Sequence, residues 1–194
     1  MRFTRTGLVT VLLVVAALFV GSWLTQYLPN PDDFRDDPFP VAGAVGEPVR
    51  LRNSEFTLTK VQAAKRYEAF RQVAATDGVF VIVDFTFVPL TEPGILAGSQ
   101  NEVRATDGRV FGGSPPLPSN CGPTNPGLPV TCQIPFEVPS DALVGLVLAI
   151  PAENGSHSRD NVTEIDLGIT PEVAEQFAAT DAQVSIHSSR PVER

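Results

Sequence analysis

The stretch that decides the fold is DGVFVIVDFTF, residues 77–87. Alternate residues of a β-strand share one face, and one face here is valine or phenylalanine throughout. The opposite face begins apolar at Phe80 and Ile82 and becomes polar at Asp84 and Thr86. The pattern predicts the central strand of an all-β domain, whose core lies on the first face. The residues of that face are Val79, Val81, Val83, Phe85 and Phe87.

Turn residues delimit this strand and its neighbours. Asp77-Gly78 predicts the turn that starts the strand, and Pro89 predicts its end. Short alternating segments recur at intervals of ~8–12 residues without helix–strand alternation, which favours an immunoglobulin-like β-sandwich over residues 47–169. A hairpin is expected about Asp107-Gly108. The predicted strands, apart from the central one, are 48–52, 55–61, 100–106, 109–111, 130–138, 143–150 and 162–169.

Several stretches are less regular. Residues 63–75 have helix-forming composition but lie between strand signals, so an extended arm with an irregular loop is favoured over a helix. Residues 91–98 read as a loop. Residues 112–129 contain six prolines, which predicts no regular element. Pro135 interrupts the strand at 130–138 and predicts an edge position or a bulge there.

The C-terminal segment, residues 170–194, is expected to be a short helix and a tail. Thr170-Pro171-Glu172 is typical of a helix start, because threonine caps, proline suits the first turn and an acid suits the positive end. Phe177 would dock the helix on the sandwich. Either this helix or the 63–75 arm could cover Phe80 and Ile82. Residues 184–186 indicate a brief edge strand.

The N-terminus predicts a membrane anchor. Arg2 and Arg5 precede an apolar run from residue 7 to residue 24, and ~18–20 such residues span a hydrocarbon core. Residues 1–6 would then be cytoplasmic and residues 7–27 a single-pass transmembrane helix in the cell membrane, with the rest of the chain extracellular. A cleaved signal peptide, giving a secreted protein, is the alternative.

Residues 28–46 form the predicted linker. They contain four prolines and four aspartates, which favour an extended spacer. The aspartates at 32–37 lack the turn glycine and the spaced bidentate acid of a calcium loop, so a solvated charge run is expected. The whole chain has a formal net charge of -8, which argues against nucleic acid and anionic lipid headgroups as partners.

Cys121 and Cys132 are the only cysteines. An even number in an oxidising compartment predicts a disulfide. The bridge would close a short loop, contribute roughly 2–3 kcal/mol to stability and fasten the proline-rich segment to the strand at 130–138. A redox motif would need the two cysteines closer together, and a zinc site would need more ligands.

No residue pattern indicates catalysis, a cofactor or a metal. His157 lies in a polar loop and His187 lies in the tail, and no Gly-x-Ser-x-Gly serine accompanies them. Asp84 and Asp166 fit outward-facing positions of alternating strands better than a pair of acid–base carboxylates. A phosphate-binding glycine loop is also lacking.

Five segments together resemble a known group of proteins. The segments are FTL at 56–58, DGVFVIVD at 77–84, ATDGRVF at 105–111, IPFEVP at 134–139 and IDL at 165–167. The group that they resemble comprises extracellular domains of actinobacterial and other Gram-positive membrane-anchored proteins and lipoproteins with an immunoglobulin-like (telokin-like) sandwich, and a mycobacterial secreted immunogenic antigen is related to it. The resemblance implies the fold and a surface location, and it transfers no catalytic residue. The proline-rich segment and the tail after Thr170 depart from it.

Three functions remain open from sequence. The favoured one is a non-catalytic surface module that binds a protein or a cell-envelope component. The second is an accessory subunit of a membrane transporter or envelope enzyme, acting partly through the N-terminal helix. A hydrolase is the least favoured, because no nucleophile–base pair is evident.

Overall fold

The computed structural model consists of two compact units, residues 1–37 and residues 38–194. Each unit is treated separately. The described parts of the chain are residues 5–27, 38–97, 101–112, 115–117, 119–152, 160–187 and 189–192.

The first unit contains helix α1, Arg5–Tyr27. Its described side chains are mostly apolar and exposed, as at Leu18 and Phe19. Within the part of the chain that is described, no helix has the length and hydropathy needed to cross a membrane. Most of the predicted linker, residues 28–37, lies outside the described residues.

The second unit is built almost entirely of strands. A single 3-10 turn, Ser140–Ala142, and helix α2, Pro171–Ala178, are its described helical elements. The strands are β1 Phe39–Ala44, β2 Pro48–Arg50, β3 Ser54–Ala69, β4 Gln72–Pro89, β5 Gly94–Ala97, β6 Glu102–Arg104, β7 Val110–Gly112, β8 Asn120–Thr124, β9 Val130–Val138, β10 Val147–Ala149, β11 Asn161–Asp166, β12 Gln183–Ser185 and β13 Arg190–Pro191.

Two sheets form a β-sandwich. One has the strand order β1-β11-β10-β6-β7, and the other has the order β12-β3-β4-β9-β13 with β2 beside β3. Strands β5 and β8 make a separate two-stranded sheet. Side chains of both larger sheets meet in one buried cluster, for example Val83 and Ile134 from one sheet with Leu148 and Ile165 from the other. This cluster is the sandwich core.

The predicted central strand is confirmed as part of β4, which lies between β3 and β9. Its valine and phenylalanine face is buried in the core. Phe80 and Ile82 belong to a second buried cluster on the other face, together with Tyr67, Leu117 and Ile186. The predicted arm therefore supplies part of their cover. The proline-rich segment and the tail supply the rest, whereas Phe177 of α2 packs against the main core instead.

The start of the central strand differs from the prediction. Asp77 and Gly78 lie inside β4, which begins at Gln72. The turn is made by Phe70 and Arg71, which have φ angles of 53° and 64°. Strands β3 and β4 continue to pair as far as Ala69 and Gln72. Asp77-Gly78 lies in a register shift of this pairing, because Arg66 pairs with Ala75 whereas Ala64 pairs with Phe80. Residues 63–75 are thus the extended arm, with a tight turn in place of the irregular loop.

Three loop or linker predictions miss strands. Residues 39–44 of the predicted linker form β1, which pairs in parallel with β11. Residues 94–97 and 120–124, assigned to loops, pair as β5 and β8. Proline did not prevent this pairing because β8 is short and pairs with a single strand, where few backbone N–H groups are needed.

Other predictions hold with altered limits. The hairpin about Asp107-Gly108 is confirmed as β6 and β7. Strand β10 is shorter than predicted, because a turn at Gly145, φ 68°, replaces the first part of 143–150. Pro135 lies in a regular part of β9 whose outer side pairs with β13 only at Val130 and Thr131, so the edge interpretation is correct.

The predicted C-terminal helix and brief edge strand are confirmed. The prediction that residues 188–194 are loose is wrong for Arg190 and Pro191, which form β13 and pair with β9. Helix α2 is capped by Thr170, whose side chain accepts a hydrogen bond from the Val173 backbone N–H, and proline occupies its first turn. Strand β12 is parallel to β3 at the sheet edge. Strand β12 therefore belongs to one sheet of the sandwich, and helix α2 packs against the sandwich core through Phe177.

Candidate functional site

The second unit carries an arm, defined as the paired ends of β3 and β4 with their turn, residues 66–75. There β4 pairs with β3 on one side. Strand β9 pairs with β4 only from Val79 onward, because β9 ends at Val138. The free edge, residues 72–77 of β4, therefore has no strand beside it in the described part of the chain.

The hydrogen-bonding groups of this edge point outward. The Glu68 carbonyl accepts a hydrogen bond from the Ile186 backbone N–H at 2.8 Å, so it faces β12 and not β4. Val73, its register partner, consequently belongs to a non-hydrogen-bonded pair, and its N–H and C=O face away from β3. Ala75, two residues further, has the same orientation. The side chains of Val73 and Ala75 are exposed as well.

The arm ends in an exposed and strained turn. Phe70 and Arg71 both have left-handed φ angles, which two-residue hairpin turns require and which glycine or asparagine adopts more readily. Each such residue costs about 1–2 kcal/mol. The Phe70 side chain is 67% exposed although it is aromatic. An aromatic side chain at a strained, exposed tip suggests a role in contact rather than in stability.

A groove of about 600 Å³ begins where the free edge meets the end of β9. Gly78 at this junction is required by close packing, since a Cβ there would lie 2.7 Å from the Val138 carbonyl oxygen. Apolar walls come from β7 and from the proline-rich segment. The lining residues other than Gly78 and Val138 are Thr76, Asp77, Val110, Phe111, Gly112, Pro115, Pro116, Pro135, Phe136, Glu137, Pro139 and Ser140.

Tyr67 holds the proline wall in place. Its buried hydroxyl accepts a hydrogen bond from the Leu117 N–H at 2.8 Å and donates one to the Leu117 carbonyl at 3.3 Å. The Tyr67 ring packs edge-on against Phe80 at 4.8 Å between centroids. Burial raises the pKa of Tyr67 above 10.0, while the Leu117 N–H opposes this rise and the charge of Glu137 adds to it. The neutral phenol is therefore the form that anchors Pro115 and Pro116.

Acidic groups border the groove. Asp77 and Glu137 are exposed there, and a Glu137 carboxylate oxygen lies 2.5 Å from the Thr76 hydroxyl, which donates to it. Lys65 donates from Nζ to the backbone carbonyls of Asp77 and Gly78. The two carboxylates outnumber this one ammonium, so this end of the groove carries a net negative charge.

A cation stands beside the apolar wall. The Arg109 guanidinium lies 5.8 Å from the centre of the Phe111 ring and pairs with Asp107 at 2.7 Å and with Asp141 at 3.1 Å. The backbone N–H and guanidinium of Arg109 lower the pKa of Asp107. These contacts place the Arg109 guanidinium beside the Phe111 ring.

The predicted disulfide is confirmed. Cys121 of β8 bonds to Cys132 of β9, with their Cα atoms 5.4 Å apart. Both residues are buried in the sandwich core. The bridge therefore joins the small β5–β8 sheet to the main sheet.

The remaining candidates that the structure describes are not brought together in one site. Asp84 accepts hydrogen bonds from the side-chain amides of Gln62 and Gln133, and exposed Asp166 accepts one from the Gly168 N–H. The backbone N–H of His187 donates to the Gln133 side chain. His157 lies outside the described residues. Among those residues, no group of three or more His, Cys, Asp or Glu could hold a metal ion.

Sequence reasoning missed both the free edge and the groove. The signal was the length of residues 55–89, which is too long for a hairpin confined to the sandwich. The groove left no sequence signal, because Thr76, Phe111, Pro116 and Glu137 meet only through the packing of separate strands.

The chain matches no protein-family model and no curated protein. Among solved structures, it is similar to the yjhA protein of Bacillus subtilis, with 12% identity, a TM-score of 0.42, and coverage of 63% of this chain and 99% of that one. It is also similar to an uncharacterised β-sandwich protein of Clostridium difficile 630, with 11% identity, a TM-score of 0.43, and coverage of 71% and 99%. Values of this size carry no functional information about this chain.

Proposed function

We propose that the protein is a non-catalytic binding module, tethered outside the cytoplasm, that recognises an extended segment of a protein partner. The recognition site is the free edge together with the groove. An incoming strand would continue the line of β9, pairing with the outward N–H and C=O groups of Val73 and Ala75. This mode of recognition is β-strand addition, in which the backbone supplies affinity and the neighbouring pocket supplies specificity.

The location rests on two supports. The first is the sequence of residues 1–24, in which two arginines precede an apolar run. The second is the Cys121–Cys132 disulfide, a bond that persists in oxidising compartments. The finer assignment to an immunoglobulin-like surface-domain family rests on the sequence resemblance.

The observation that carries the binding role is the unprotected free edge. Natural proteins shield exposed strand edges with lysine, proline, bulges or a covering element. Residues 72–75 read QVAA, which contains neither lysine nor proline. The register shift of β4 begins after Ala75, and no described strand covers these four residues. An edge of this kind is retained where pairing with another chain is useful.

Defined peptides test the proposal. Eight-residue peptides of alternating valine and lysine, alternating valine and glutamate, and the lysine peptide with N-methylated backbone amides are titrated against the full chain in detergent. We expect the lysine peptide to bind at least tenfold more tightly than the glutamate peptide, because Asp77 and Glu137 border the site. We expect N-methylation to abolish binding.

Two variants localise the binding. Ala75→Pro removes an outward N–H and blocks strand addition. Ala75→Val keeps that N–H and serves as the matched control, so it should bind the lysine peptide as the natural chain does. Equal binding of the N-methylated peptide, or full binding by Ala75→Pro, would refute strand addition at this edge.

A further inference from the structure

We infer that Glu137 selects the partner segment by pairing with one long basic side chain, a lysine or an arginine, that enters the groove. The inference rests on the proposed function, because it uses the groove beside the free edge. It assigns the charge preference of the site to a single carboxylate and names the kind of side chain that this carboxylate recognises.

The charges around the groove favour a cation. Asp77 and Glu137 line it, and among the described residues no basic side chain does. The guanidinium beside the apolar wall, that of Arg109, pairs with both Asp107 and Asp141, so this group of three side chains is itself net negative. The groove therefore complements a positive charge and opposes a negative one.

Glu137 is oriented before any partner binds. The Thr76 hydroxyl accepts a hydrogen bond from the Gly78 backbone N–H at 3.0 Å and donates one to a Glu137 carboxylate oxygen at 2.5 Å. The other carboxylate oxygen has no hydrogen-bond partner within the described part of the chain, and the Glu137 side chain is exposed. A side chain that is already ordered loses less conformational entropy on binding.

Asp77 lacks this support. Its carboxylate makes no hydrogen bond or ion pair with a described residue, and the side chain is exposed. An ion pair formed by an exposed and unoriented side chain contributes little, because both partners must be ordered to form it. The selection is therefore assigned to Glu137, with Asp77 as a weaker contributor.

The groove also accommodates the hydrocarbon part of a long basic side chain. Its volume is about 600 Å³, and Phe111, Pro115 and Pro116 line it together with the two carboxylates. Tyr67 holds the proline part of this wall through its hydrogen bonds with Leu117. Lysine and arginine lay their methylene groups along apolar surface while the charged head reaches a polar group. The wall thus favours a basic side chain over a small inorganic cation.

Two peptides test the selection. Both have eight residues of alternating valine and serine, and the third serine is replaced by lysine in the single-lysine peptide and by uncharged norleucine in the norleucine peptide. Each is titrated against the full chain in detergent. We expect the single-lysine peptide to bind about fivefold more tightly, the upper range for an exposed ion pair.

Matched variants locate the carboxylate. Glu137→Gln keeps the shape and the acceptor for Thr76 but removes the charge, so it should bind the two peptides equally. Asp77→Asn, the matched control, should keep most of the preference for lysine. Thr76→Val removes the orienting hydroxyl and should reduce the preference to about twofold without changing the affinity for the norleucine peptide. Thr76→Ser should restore the preference.

Three results would overturn the inference. They are equal binding of the two peptides by the natural chain, a preference that survives Glu137→Gln, and an equal loss of preference in Asp77→Asn. If one of these results occurs while the alternating valine–lysine peptide still binds and N-methylation still abolishes its binding, the proposed function stands and only the selection by Glu137 fails. If none of the peptides binds, both fail.

Discussion

The two halves of β4 experience opposite environments although they belong to one continuous strand. From Phe80 to Phe87, β4 pairs with β3 on one side and β9 on the other, and its side chains are buried on both faces or nearly so. From Gln72 to Ala75 it pairs with β3 alone, and Val73 is 54% exposed. One half holds the sandwich together, and the other half carries backbone groups available to another chain.

This contrast shows that one strand can contain both a buried segment and an exposed segment. The buried half is a near-continuous apolar run, as expected for a strand enclosed on both faces. The arm half contains small and polar residues that contribute little to a core. Stability is therefore concentrated in the first half. Substitutions in the two halves should affect different properties.

The largest expected effect is on the buried half. Phe85 is 1% exposed and its ring centre lies 6.2 Å from that of Phe56. Phe85→Ala should lower the free energy of unfolding by about 3–5 kcal/mol through lost burial and the cavity left behind. Val73→Ala, the matched substitution in the arm, should change it by about 0.5 kcal/mol or less. Urea unfolding measures both free energies, and equal losses would contradict the conclusion that stability is concentrated in the buried half of β4.

A smaller effect is expected where the two halves meet. Tyr67→Phe leaves the Leu117 N–H and carbonyl without their partner, which should cost about 1–3 kcal/mol. It should also loosen the proline wall and weaken binding of the lysine peptide. Tyr67→Leu, which loses the ring as well as the hydroxyl, provides the comparison for the packing contribution.

The same residue predicts a pH dependence. Burial raises the folded-state pKa of Tyr67 above 10.0, so at higher pH the unfolded chain loses this proton before the folded protein does. The stability that the buried, neutral Tyr67 hydroxyl contributes is therefore fully present below about pH 10 and is lost as pH rises through the folded-state pKa. Urea unfolding at pH 9 and pH 11 should show a smaller pH-dependent loss in Tyr67→Phe than in the natural chain. An equal loss in the two proteins would contradict the assignment of this pH dependence to Tyr67.

The smallest expected effect on stability is a gain and not a loss. Replacing Phe70 and Arg71 together by Asn-Gly relieves the left-handed strain at the turn and should raise stability by about 1 kcal/mol. The same replacement removes the exposed aromatic ring at the tip of the arm, so binding of the lysine peptide should weaken. Thermal unfolding and peptide titration of one variant test both statements. A variant that gains stability and binds the peptide normally would separate the strained turn from function.

Much of the fold was predictable because alternation reports burial directly. The central strand, the hairpin about Asp107-Gly108 and the Thr170-capped helix each follow from local residue patterns. The disulfide was predictable because only two cysteines are present. Strands β1, β5 and β8 were not predictable, since each is stabilised by a partner distant in sequence and not by its own composition.

The amino-acid sequence by itself determined the strand faces, the helix cap and the cysteine pair, because those depend on local periodicity and residue chemistry. Only the tertiary structure decided that β4 extends past the end of β9. That difference in strand length leaves residues 72–77 without a described strand on their outer side and opens the groove beside Phe111 and Pro116. Local patterns do not encode where a neighbouring strand stops, because register and strand ends are set by contacts among elements far apart in the chain.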